Sequence, residues 1–187
     1  MTQNNKFSQL LKVLQFDITD INLFYNDSLR DPYIDCGIEY NKPYQLNDET
    51  LNLEHKIQEL KNLREDKLYS RIFNFTQTYY SIYQYLKGKY TKRVDPQRNK
   101  IIEDFFTNEK KRKINRIEIC NGLKHNPKKD LEYKTHLAKE EIVSQSQRQI
   151  IYANRGQTWF YEHIDSVALC RDLYSELVMF IEKHHLN

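Results

Sequence analysis

Apolar residues recur along this chain at intervals of three and four, the period of one face of an α-helix. The clearest run follows Asn47 and Asp48, either of which can cap a helix start. It takes in Leu53, Ile57 and Leu60, then Leu68, Ile72, Phe75, Tyr79, Ile82 and Leu86, with no proline and no glycine before Gly88. Helix is predicted over 48–90, as one long element or as two divided at the polar patch Asn62–Lys67. Asp95-Pro96 is a second start signal, a cap followed by proline at the first helical position. The pattern then runs through Ile101, Ile102, Phe105 and Phe106. Beyond Thr107-Asn108, which reads as a new cap or a kink, it continues through Ile114, Ile117, Cys120 and Leu123 to a stop at Asn126-Pro127. A third start at Asp165 or Ser166 opens a helix with Val167, Cys170, Tyr174, Leu177, Val178 and Ile181 on its apolar side. The principal helices are expected at 48–90, 96–125 and 165–184.

Elsewhere the pattern is weaker. Residues 7–14 suit a turn or two of amphipathic helix, and a short helix fits near 18–29. Asp31-Pro32 and Lys42-Pro43 are turn signals, so 1–46 reads as an irregular N-terminal wrap. After Asp130 the helical period fades. Ile150-Ile151-Tyr152 and Thr158-Trp159-Phe160-Tyr161 flank a segment whose Gly156 can take positive φ, which predicts a small β-hairpin near 149–162. The fold class expected is mainly α, a helical bundle of four to five main helices with that hairpin, in a single domain over 1–187.

Composition sharpens the expectation. Hydrophobic residues are 39% of the 187, but fourteen Tyr and nine Phe partly compensate, since each ring buries a large area. The rings of 69–85 (Tyr69, Phe73, Phe75, Tyr79, Tyr80, Tyr83, Tyr85) are too many for one helix face. That surplus, with Gly122 inviting close helix approach, predicts a homodimer. No apolar run approaches the ~18 residues of a membrane span, and the polar start lacks a signal-peptide core, so a cytoplasmic protein with no membrane association is expected. Cys36, Cys120 and Cys170 are widely spaced and odd in number, which fits reduced thiols and neither a disulfide frame nor a zinc site. No metal and no cofactor are expected.

Charge is unevenly spread. Between residues 110 and 134 stand Lys110, Lys111, Arg112, Lys113, Arg116, Lys124, Lys128, Lys129 and Lys134 against Glu118, Asp130 and Glu132, an excess of +6 that leaves −3 for the rest of a chain whose net charge is +3. Such an excess suits a phosphate-binding surface, and it also suits an ordinary solvated helix face. Within this segment Asn121 and His125 lie four residues apart, with Glu118 one turn earlier. On a helix these three form a polar stripe whose imidazole titrates near neutral pH and can act as a general acid or base on a phosphodiester. Gly122, costly in a helix interior, points to a close approach by substrate or backbone. The competing reading is that Asn121 and His125 simply close the helix. Trp159 with Tyr161 suits base stacking or, more simply, core packing. The other histidines show no ligand spacing except the adjacent His184 and His185, a pair expected to fray.

A bundle whose late helix ends in Asn121-x-x-Lys124-His125 resembles the HEPN superfamily, compact α-helical domains of prokaryotic toxin–antitoxin and defence systems and of some eukaryotic ribonucleases. The family motif is Arg, often followed by Asn, then three residues and His. Asn121 and His125 match it over about ten residues, and Cys120 stands in the Arg position. The resemblance implies a dimer that binds RNA or cleaves it without metal, with His125 and Asn121 catalytic and Lys110, Lys111, Arg112, Lys113, Lys124, Lys128 and Lys129 on phosphate. It also implies a cognate antitoxin or other protein partner. Loss of the Arg points to a degenerate member. The alternative is a non-enzymatic helical interaction or scaffold module.

Overall fold

The computed structural model describes residues 3–28, 30, 48–107, 120, 131–143, 148–161 and 164–186. The fold is mainly α, as the three/four spacing predicts. Among the described residues there are four helices: α1 (Gln3–Ser28), α2 (Asp48–Lys89), α3 (Pro96–Thr107) and α4 (Ser166–His184). Three strands, β1 (Leu131–Val143), β2 (Arg148–Tyr161) and β3 (Ile164–Asp165), form an antiparallel sheet in that order.

The spine is α2, one unbroken helix of 42 residues and ~63 Å. The patch Asn62–Lys67 is therefore a solvent-facing part of it and not a break. α1 lies antiparallel against its C-terminal two thirds. Phe7 stacks on Tyr85 with ring centroids 5.2 Å apart, Asp17 meets Arg71 and Thr78, Lys67 sits over the Phe24 ring, and Arg64 reaches the Arg30 carbonyl. Phe7, Leu14, Ile18 and Ile21 of α1 are buried against Leu68, Ile72, Phe75, Tyr79, Ile82 and Leu86 of α2. The first 46 residues are thus not an irregular wrap, since 3–28 are continuous helix. The apolar positions 7, 10, 11, 14, 18, 21, 24 and 25 keep helical spacing throughout, and Asp17 among them is a buried polar residue that does not interrupt the pattern.

A tight turn joins α2 to α3. Asp95 caps α3 by accepting the Arg98 amide at 2.9 Å, and the buried Asn99 side chain donates to the Tyr90 carbonyl at 2.7 Å. Phe106 of α3 then enters the core. It meets Tyr79 edge-on at 5.5 Å and Tyr83 at 5.0 Å, with Phe105 at 5.0 Å and Phe180 of α4 at 6.3 Å. The rings of 69–85 accordingly find partners on α1 and α3 within one chain, and all seven are buried or half-buried. The surplus from which a homodimer was expected is absorbed internally.

α4 is closed at both ends. The Asp165 carboxylate accepts the amides of Val167 at 2.8 Å and Ala168 at 3.2 Å. At the C-terminus His185 takes left-handed geometry (φ 50°), its amide donating to the Glu182 carbonyl and that of Leu186 to Ile181. This is a Schellman closure, and its apolar contact is fulfilled, because Leu186 is fully buried. The terminal histidine pair is held by this closure, with the His184 ring 4.9 Å from Phe180, and does not fray.

The hairpin is displaced from its expected place. Residues 149–162 do not fold back on themselves; 148–161 form the single strand β2, paired with β1 from Leu131↔Tyr161 to Val143↔Arg148. The register shifts between Thr135 and Leu137, so Arg155 and Gly156 together oppose His136. Gly156 therefore marks a β-bulge and not a turn.

Candidate functional site

Of the motif read from the sequence, Cys120 is the member that the described residues contain. Glu118, Asn121 and His125, and the basic residues Lys110, Lys111, Arg112, Lys113, Lys124, Lys128 and Lys129, lie outside them. Cys120 has helical backbone and is 1% exposed, packed in the same apolar cluster as Phe75, Tyr79, Phe106 and Cys170. Its thiol is pushed up to about 12 by burial. Cys170, on the first turn of α4, is equally buried. Its thiol is raised well above the usual range by burial and then by the neighbouring Cys120, Asp165 and Asp17. Both are free and protonated at neutral pH, so neither presents the thiolate that nucleophilic chemistry requires.

Next to this pair lies the main polar cluster of the described core. Asp17 is 3% exposed. One of its oxygens lies 3.7 Å from Arg71 Nη1, and the other accepts the Thr78 hydroxyl at 3.4 Å. Arg71 also reaches Asp20 through Nε at 3.0 Å. The guanidinium thus bridges one buried and one half-exposed carboxylate across the α1–α2 seam. Burial raises the Asp17 carboxyl above its ordinary 3.8, against the opposing pull of Arg71 and Thr78. Loss of solvent outweighs the bridge because the Arg71 contact is long and the guanidinium is shared. Sequence reading passes over Asp17 as a polar interruption. The available signal was its place between Leu14 and Ile21 on the apolar face.

Set against known protein families, curated proteins and solved structures, the chain matches none of them. Its chemistry must be read from its own residues. Among the described residues no three His, Cys, Asp or Glu side chains are grouped to hold a metal ion. No described helix is long and apolar enough to cross a membrane. A shallow cleft of about 290 Å³ opens where the end of α1 meets the middle of α2, lined by Phe24, Asp27, Arg30, Leu60, Arg64 and Lys67 among others. Three cations face one carboxylate there, so this described surface favours an anion.

A raised carboxyl has a defined consequence for stability. The folded state holds the Asp17 proton to higher pH than the unfolded chain does. Its contribution is greatest below the unfolded value and is lost as pH rises through the folded one. Asp17→Asn, which keeps an acceptor for Thr78 and removes the buried charge, should flatten that fall. Urea midpoints of the two proteins measured from pH 3.5 upward check this. A wild-type midpoint that rises relative to Asp17→Asn over that range would show the opposite sign.

Proposed function

We propose that this chain is a HEPN-like helical domain that binds RNA through its basic segment without cutting it, as a cytoplasmic component of a defence or toxin–antitoxin system. The observation that carries this reading is the burial of Cys120. Where the family resemblance puts the cleaving Arg, this chain has a core thiol with no path to solvent. On a helix, residues one and five positions on stand about 100° and 140° round, so the predicted helix over 108–125 turns Asn121 and His125 away from the Cys120 side. A surface stripe is retained while the partner cation is lost. Lys110, Lys111, Arg112 and Lys113 supply phosphate contacts, with Lys124, Lys128 and Lys129 beyond the stripe, and the basic cleft by Arg30, Arg64 and Lys67 offers the RNA a second anion-favouring surface.

The test is a titration with single-stranded RNA from 50 to 200 mM salt. Binding should weaken steeply with salt, and reversal of Lys110–Lys113 to Glu should lower the log–log slope by about 0.7 for each phosphate no longer neutralised. No RNA should be cleaved, with or without chelator. Metal-independent cleavage abolished by His125→Ala would instead establish the active endoribonuclease. Absence of RNA binding at 50 mM salt would leave the protein-interaction module, which the exposed apolar face of α1 favours.

A further inference from the structure

The outer face of α1 carries a seam of its own. Three of the six large hydrophobic side chains exposed among the described residues are on this helix: Val13 at 46%, Phe16 at 70% and Leu23 at 55%. They belong to the series Lys6, Gln9, Val13, Phe16, Asp20, Leu23 and Asp27, whose spacing alternates three and four. That spacing places all seven on one stripe, on the side of α1 away from the buried Phe7, Leu14, Ile18 and Ile21. Lys6, Gln9 and Asp27 are exposed, and Asp20 is half-exposed with its charge turned to Arg71 at 3.0 Å.

We infer that this seam is a homodimer interface, in which α1 packs antiparallel on α1 of a second copy about a two-fold axis at Phe16. The charge order selects both the occupant and its direction. The stripe begins with a cation, Lys6, and ends with an anion, Asp27, so it complements itself only when reversed. In that register Lys6 of each copy opposes Asp27 of the other, Val13 opposes Asp20, Gln9 opposes Leu23, and the two Phe16 rings meet at the axis. A parallel pairing would set Lys6 on Lys6 and Asp27 on Asp27. The seam is ~32 Å long and one helix wide, small beside the ~800 Å² a side of a standard interface. The dimer is accordingly a weak one, with Kd on the order of 10–100 μM. This inference is independent of whether the chain binds RNA.

Sedimentation equilibrium of the full chain from about 5 to 500 μM tests it. The wild type should shift from monomer to dimer across that range, and Phe16→Glu should remain monomeric throughout. Lys6→Asp and Asp27→Lys should each weaken association by about tenfold, since each turns two attractive pairs per dimer into repulsive ones. The double swap Lys6→Asp/Asp27→Lys should restore it. Both changes place the favoured charge at their end of α1, so a weaker dimer does not reflect a weaker helix. A monomer at every concentration would overturn the inference and leave the seam to a different protein. A dimer indifferent to Phe16→Glu would overturn the interface, and failure of the double swap to restore association would overturn the antiparallel register.

Discussion

A Cys120→Arg variant, which would complete the HEPN motif, is expected to lose the fold before it gains any activity. Cys120 is 1% exposed within the apolar cluster that includes Cys170. A guanidinium is much larger than a thiol and stays charged at any working pH, and none of its five donors would meet an acceptor in that cluster. An unpaired buried charge is among the few single changes that cost on the order of 4 kcal/mol or more, which is much of the stability of a domain this size. Cys120→Ala, which only opens a small cavity, should cost about 1–2 kcal/mol. Urea unfolding of the three proteins orders them. An Arg variant as stable as the wild type would show that position 120 can turn outward, and would reopen the catalytic reading.

Phe106→Ala should be the most damaging of the conservative core truncations. Phe106 is fully buried and touches rings from two other helices, Tyr79 and Tyr83 of α2 and Phe180 of α4. Truncation removes the side chain that ties three helices together and leaves a cavity that rigid rings cannot collapse to fill. The expected loss is about 3–5 kcal/mol, visible as a lowered denaturant midpoint and as exposure of α4 in hydrogen exchange. Phe105→Ala would remove the ring stacked at 4.0 Å on Phe180, but Phe105 is only half-buried, so it should cost clearly less. Equal losses at the two positions would show that Phe106 is not the centre of the core.

The α2 helix was legible in the sequence because an unbroken three/four stripe of branched and aromatic residues has no other regular solution. The starts of α3 and α4 were legible because Asp95-Pro96 and Asp165 are local capping chemistry. α1 was missed beyond a turn or two for a tertiary reason. Asp17 breaks the apolar face on paper, and only the approach of Arg71 and Thr78 from a helix some sixty positions away makes that carboxylate admissible in the core. The sheet was misplaced because Gly156 signals irregular backbone without saying which kind. The alternation of Leu131, Tyr133, Thr135 and Leu137 with charged or polar neighbours was the better sign of a partner strand. At the candidate site the sequence placed Cys120 on the apolar side of its helix, and the structure buries it there. The residues proposed to meet RNA lie outside the described residues.

The bundle is closed by a contact between its first and last helices. Arg171 Nε of α4 donates to the Asn22 side-chain oxygen at 2.6 Å, a separation of 149 positions, and its guanidinium lies over the Tyr25 ring. At synthesis rates of roughly 5–20 residues per second, about 7–30 s pass between the appearance of Asn22 and that of its partner. Throughout that interval α1, α2 and α3 can assemble their shared core, while the flank awaiting Leu173, Leu177 and Phe180 stays open to water. The nascent chain is therefore most prone to aggregate late in its own translation, and a slow passage through codons 131–165 would lengthen that exposure.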